Sequence, residues 1–163
     1  MQQQLFKQLT FLLSTVRSED FHCPLPILSG ATIGQHIRHV LEFYQCLLQS
    51  LTDGQVCYDH RPRDPRLETD RAFALSQLHQ LQASLTDLEG ERHLSLLTGP
   101  PEHPLRVMTS LDRELLYCLE HAIHHLALVK IGVIQALPYL TLPEGFGIAP
   151  ATLHYRAHKP LAS

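Results

Sequence analysis

From Gln2 to Val16 the apolar residues Leu5, Phe6, Leu9, Leu12, Leu13 and Val16 recur three and four apart, the spacing of one face of an α-helix. A loop with Pro24 and Pro26 follows, and Gly30-Ala31-Thr32 then opens a second run. There Ile33, Ile37, Val40, Leu41, Tyr44, Leu47 and Leu48 keep the helical period to about Ser50. Asp53 to Arg66 contains two prolines and six charged side chains, which reads as a crossing loop. A third helix is expected over about Leu67 to Leu88, with Ala74, Leu75, Leu78, Leu81, Leu85 and Leu88 in register and Gly90 as its stop.

Between Arg92 and Thr109 the period changes, and two extended pieces flank Gly99-Pro100-Pro101-Glu102-His103-Pro104, the pattern of a short hairpin. Thr109 or Ser110 can cap a fourth helix, with Asp112 three residues after Thr109 as in a capping box. The run Leu111 to Leu137 has no internal proline and would span roughly 40 Å at about 1.5 Å per residue. Leu115, Leu116, Leu119, Ile123, Leu126, Val129, Ile131, Val133 and Ile134 make it apolar nearly all round, so it is expected at the centre of the fold. The tail after Leu137 carries four prolines, Pro138, Pro143, Pro150 and Pro160, and reads as irregular chain packed over the helices. The expected architecture is an all-α four-helix bundle forming one domain over residues 1–163. It has one long connection between its second and third helices and a short hairpin before the fourth.

Composition narrows the partners. The chain has 163 residues, 13 Lys+Arg against 16 Asp+Glu, and a formal net charge of -3, so no basic footprint suits a nucleic acid or an anionic membrane. No apolar run reaches the roughly 18 residues of a membrane span. The start Met1-Gln2-Gln3-Gln4-Leu5-Phe6-Lys7-Gln8 is not patterned as a secretory signal. Cys23, Cys46, Cys57 and Cys118 show no C-x-x-C spacing and are expected as reduced thiols. The expectation is a cytoplasmic protein with a small-molecule substrate, no nucleic-acid or membrane partner, and an association state that admits a homodimer.

The 12 histidines change the picture. Glu120-His121-Ala122-Ile123-His124-His125 places His121 and His125 four apart on one helix face, with β-carbons roughly 6 Å apart, so both rings can address one ion. Imidazoles on a buried helix need partners, and a divalent metal satisfies two together. The plainer alternative is a pair of core histidines bonded to carbonyls or water. His124 points away from both and is expected to pair with Glu120. A third ligand must come from the second helix, where Gly34-Gln35-His36-Ile37-Arg38-His39-Val40 offers two choices. Periodicity alone favours His36, which borders the apolar arc, over His39 beside Phe43 and Cys46.

These residues resemble the DinB-like (YfiT-like) metal-binding four-helix bundles. In that family the second helix opens with a Trp-Ser-Ile-Gly-like segment and carries a metal histidine several residues on. The fourth helix carries H-x-x-H-H. Here Thr32-Ile33-Gly34 takes the opening, without the tryptophan, and His39-Val40 takes the ligand position. His121 and His125 match the outer histidines of the second motif. The resemblance implies a metal triad of His39, His121 and His125, with His36 as the alternate. The family includes metal-dependent thiol transferases and a thiol-dependent isomerase, so it implies thiol chemistry.

Three imidazoles leave coordination positions open, as a reactive rather than a closed structural site does. Zinc, nickel and iron all suit imidazole. No H-E-x-x-H is present, and the E-x-x-H pairs of di-iron bundles are missing. Glu114, seven residues before His121, is the carboxylate that could act in the cavity. Its plainer role is to favour a helix N-terminus. The loop from Tyr58 to Asp64 admits an anion clamp or an ion-pair network, and Leu142 to Pro150 a lid or ordinary packing. The functional expectation is a metal-dependent transfer of a low-molecular-weight thiol, against a metal-dependent hydrolase or a metal- or ligand-binding protein without catalysis.

Overall fold

The computed structural model describes residues 2–86, 88, 90 and 92–158. Among them the chain forms seven α-helices and a three-stranded sheet: α1 (Gln2–Thr15), α2 (Ser18–Phe21), α3 (Ile33–Asp53), β1 (Gln55–Val56), α4 (Arg66–Thr69), α5 (Arg71–Thr86), β2 (His93–Thr98), β3 (Leu105–Ser110), α6 (Leu111–Ala136) and α7 (Pro150–Ala157). A short 3-10 turn covers Pro26–Leu28. The all-α four-helix bundle is therefore corrected to a mixed α/β fold. Four of the long amphipathic stretches are helical as periodicity implies, but the loops between them are not structureless.

The sheet has the order β1-β2-β3. β2 and β3 form the antiparallel hairpin, with Leu94 opposite Thr109 and Leu96 opposite Val107. β1 pairs with β2 in parallel, Val56 opposite Leu96. A two-residue strand has no period of its own. It exists because β2 supplies its ladder partners and the core receives Val56, which is fully buried.

The expected third helix is broken. Asp70 is extended at φ −113°, ψ 100°, and its Oδ1 accepts from the Phe73 amide at 3.0 Å, so a new helix is capped there. Helix α5 ends at Thr86. Position 87, inside the expected helix, and the tail beyond 158 lie outside the described residues. The tail segment before α7 packs on α1 and α6: Phe146 is fully buried, and Gln8 Oε1 accepts from the Gly147 amide at 2.9 Å. A β-carbon on Gly147, at φ +62°, would meet the Leu126 and Ala127 backbone at 2.8 Å, so only glycine allows this approach.

The core is built by α1, α3, α5 and α6, with Leu9, Leu12, Leu13, Ile33, Leu41, Tyr44, Leu47, Leu78, Leu126 and Val129 at or near zero exposure. Among the described residues no helix is long and apolar enough to cross a membrane.

Candidate metal centre

The site begins with the start of α3. Thr32 Oγ1 accepts from the Gln35 amide at 2.9 Å, while Gln35 Oε1 accepts from the Thr32 amide at 3.1 Å. This reciprocal cap fixes where the helix begins and hence the phase of His36 and His39. Gly34 is held against α4: a β-carbon there would lie 2.0 Å from the Glu68 carbonyl oxygen. The Ile33-Gly34 element noted in the sequence thus has a steric cause.

Helices α3 and α6 run antiparallel, because rising numbers on one meet falling numbers on the other. His36 faces His125, His39 faces His121, and Phe43 faces Tyr117. Steps of three or four residues on both helices keep these rings on one seam. Nε2 of His39 lies 2.7 Å from Nε2 of His121, which lies 3.2 Å from Nε2 of His125. One ligand-capable atom from each of His39, His121 and His125 falls within 4.8 Å of the others, and all three residues are half-buried. His36 joins from the side, its Nδ1 2.9 Å from Nδ1 of His125. The structure thus brings together the four candidate ligand histidines of the sequence, with His39, rather than His36, in the group of three whose ligand atoms converge. His124 is exposed, edge-on to His125 with centroids 5.5 Å apart, and makes no hydrogen bond to Glu120 among the described residues.

Aromatic rings hold the array in place. Phe43 lies parallel to His121 at a centroid distance of 4.4 Å and to Tyr58 at 4.7 Å, and Tyr117 stacks on His121 at 5.7 Å. Burial is the largest influence on every ring of the seam. It lowers His36 and His121 from the ordinary histidine range, lowers His39 to about 4 and His125 to about 3, with neighbouring charges adding to the effect. The imidazoles are neutral at pH 7 and keep lone pairs for bonding.

Proton positions follow from Arg61. Its Nη2 lies 2.7 Å from Nδ1 of His39, and a guanidinium only donates. His39 therefore carries its hydrogen on Nε2 and donates to Nε2 of His121. One lone pair on His121 Nε2 then faces two rings: His125 shares it when its hydrogen is on Nε2, with Nδ1 accepting from His36, and donates to His36 when its hydrogen is on Nδ1. Nε2 of His36, at the end of the array, is a buried atom without a partner among the described residues.

The residues fit a divalent ion at the cost of one contact. Zinc with Zn–N of about 2.0–2.1 Å sets tetrahedral nitrogens about 3.3 Å apart, against 2.7 and 3.2 Å from His121 to its two neighbours and at most 4.8 Å across the set. His125 can turn its proton toward His36, but His39 can do so only by giving up Arg61.

The loop from Tyr58 to Asp64 is an ion-pair network. Arg61 Nε lies 3.2 Å from Glu42 Oε2, and Nη1 donates to the Tyr58 carbonyl at 2.8 Å. Arg38 lies 3.6 Å from Glu42, and Arg66 pairs with Asp64 at 2.7 Å. Glu114 is 3% exposed and sits apart from the histidines. Its oxygens accept from Tyr58 Oη at 2.8 Å and Thr109 Oγ1 at 2.7 Å. Ser110, whose Oγ accepts from the Arg113 amide at 3.3 Å, is the cap of α6. Sequence reasoning did not place Arg61 on His39 or Tyr58 on Glu114. Both contacts depend on how the loop after β1 folds back, which no local pattern encodes.

No protein-family model matches the chain, and no solved structure matches it. Among curated proteins, FK506-binding protein 5 of Rhizopus delemar is 34% identical over 104 residues, 60% of this chain and 26% of that protein. The chain thus spans about a quarter of that relative.

Proposed function

We propose that the protein is a metal-dependent catalyst akin to the DinB-like proteins, joining a low-molecular-weight thiol to an electrophile. The observation that carries this reading is the convergence of three neutral imidazoles on one seam. A zinc, nickel or iron ion held by His39, His121 and His125 would supply a Lewis acid that lowers the pKa of a bound thiol. The chain's own residues do the rest. Phe43 and Tyr117 fix the His121 ring, and burial keeps the four rings deprotonated. Burial also pushes the Cys118 thiol up to about 12 and raises Cys46, so neither is a ready thiolate. The reacting sulfur on this reading comes from a cosubstrate. Glu114, bound by two hydroxyls away from the triad, is not aimed as a base for hydrolysis, which sets thiol transfer ahead of a metal hydrolase.

The test is a turnover assay with small thiols and electrophiles on zinc-loaded, nickel-loaded and chelator-treated protein. Consumption that needs both thiol and metal is expected. Ester or amide cleavage without thiol would replace the reading by hydrolysis. Tight metal binding with no turnover would leave a binding protein, and failure to bind any of the metals would remove the site.

A further inference from the structure

Among the described residues two glutamates are buried, Glu42 and Glu114, and they are treated differently. Glu42, 2% exposed, has Arg61 at 3.2 Å, Arg38 at 3.6 Å and the Asp64 amide at 3.0 Å. Glu114, 3% exposed, has hydroxyl donors only, and no cation lies within 4 Å of it among the described residues. Burying a carboxylate without a counter-charge is costly. Two hydroxyl hydrogen bonds and its place in the first turn of α6 offset part of that cost, with no cationic side chain to complete it.

Glu114 lines a cavity of about 240 Å³, below the roughly 300 Å³ at which drug-sized pockets begin. Phe43, Tyr58 and Tyr117 contribute aromatic walls, and Asp59 adds a second carboxylate that accepts from Thr98 Oγ1 at 3.1 Å. Arg113 also lines it, but is exposed, with its guanidinium carbon 5.9 Å from the Tyr117 centroid. A buried carboxylate without a cationic partner, beside aromatic faces, is the chemistry that recognises a small organic cation, by charge and by cation–π attraction. We propose that this cavity binds a small ammonium ion, with Glu114 as its counter-charge and the Tyr58 and Tyr117 rings as its walls. The proposal does not depend on the histidines holding a metal.

Choline and ethanolamine are the probes, and 3,3-dimethylbutan-1-ol is the control, having the shape of choline without its charge. Titrations followed by amide chemical shifts should show saturable binding of at least one ammonium, with shifts at Leu96–Thr98 and Arg113–Tyr117. The neutral alcohol should bind at least about tenfold more weakly, an energy difference of about 1.4 kcal/mol. Glu114→Gln keeps the side-chain shape and should weaken the ammonium by a similar factor. Asp59→Asn, at an exposed position, should weaken it by about threefold, a smaller share of the same attraction, and it serves should the first variant fail to fold. Chelator-treated and zinc-loaded protein should bind alike. Equal binding of the alcohol, no binding of either ammonium, or binding only to the zinc-loaded form would each overturn the proposal.

Discussion

The two ends of the histidine array are closed by different chemistry. At one end His36 meets His125 through Nδ1 atoms 2.9 Å apart, and an imidazole can donate or accept there. At the other, Arg61 meets His39 at 2.7 Å and can only donate. The His36 end accommodates a ligating His125 by moving one hydrogen between two rings. The Arg61 end opposes a ligating His39, which must put its hydrogen where the guanidinium already points. One half of the site is prepared for a metal, and the other is prepared to remain a hydrogen-bonded relay. Arg61 itself loses little by letting go, since Glu42 and the Tyr58 carbonyl still hold it.

His121 belongs to both halves, so its loss has the largest effect. His121→Ala should weaken zinc or nickel binding by about a thousandfold or more, because two remaining imidazoles make a poor chelate. Helical content should be unchanged in circular dichroism. A variant that still carries one metal per chain would show that the two ends do not share a site.

His36→Ala comes next. It removes the partner that accepts from Nδ1–H of His125 when that ring is a ligand, and such partners are worth about 10- to 100-fold in affinity. Arg61→Gln should act in the opposite direction. A glutamine carbonyl can accept from His39 Nδ1–H, so metal affinity should rise by about tenfold. The protein should also melt lower, because removing one partner of a buried ion pair costs about 3–5 kcal/mol. Calorimetric titration separates the two variants. If both weaken binding, Arg61 supports the ligand set and the asymmetry is lost.

That asymmetry marks the limit of what the sequence shows. The four histidines and their helices were legible because apolar spacing fixes helix faces, and His121 and His125 lie four apart on one of them. Periodicity favoured His36, which borders the apolar arc, and the family resemblance favoured His39. The antiparallel crossing of α3 on α6, which no local pattern encodes, sets His39 beside His121 and His36 beside His125. The hairpin was visible in its own alternation, but β1 was hidden, since Gln55 and Val56 become a strand only when β2 lies beside them. Asp70 looked like one more polar helix residue, although its side chain caps α5. Arg61 read as one charge among several because its partners, Glu42 and His39, are 19 and 22 residues away.

Proton linkage gives a smaller effect at both ends. Folded His39 titrates at about 4 and His125 at about 3, against about 6.5 in an unfolded chain. Between those values the unfolded chain binds more protons, so stability rises with pH. Metal-free protein should keep its full stability above about pH 6.5. It should lose stability as the pH falls toward 4 and then 3, read as a falling urea midpoint. Arg61 is the second cause of the lowering at His39, after burial. Arg61→Gln should therefore raise that end of the window, while His36→Ala, which relieves His125, should raise the other. A midpoint that holds steady between pH 7 and 4 would show that the rings are not buried neutral as described.

The smallest effect belongs to His124, which separates the chemistry of the array from the mere abundance of histidine. Its ring is exposed and meets His125 only edge-on, so it neither donates to nor accepts from any ring of the relay. Its influence is charge: when protonated it lowers His36, His121 and His125. His124→Ala should leave metal affinity within about twofold of the parent, since the charge of an exposed side chain is strongly screened. A tenfold loss at pH 7.5 would mean that His124 turns inward to the ion, and the assignment of His121 and His125 as the paired ligands of α6 would have to be redrawn.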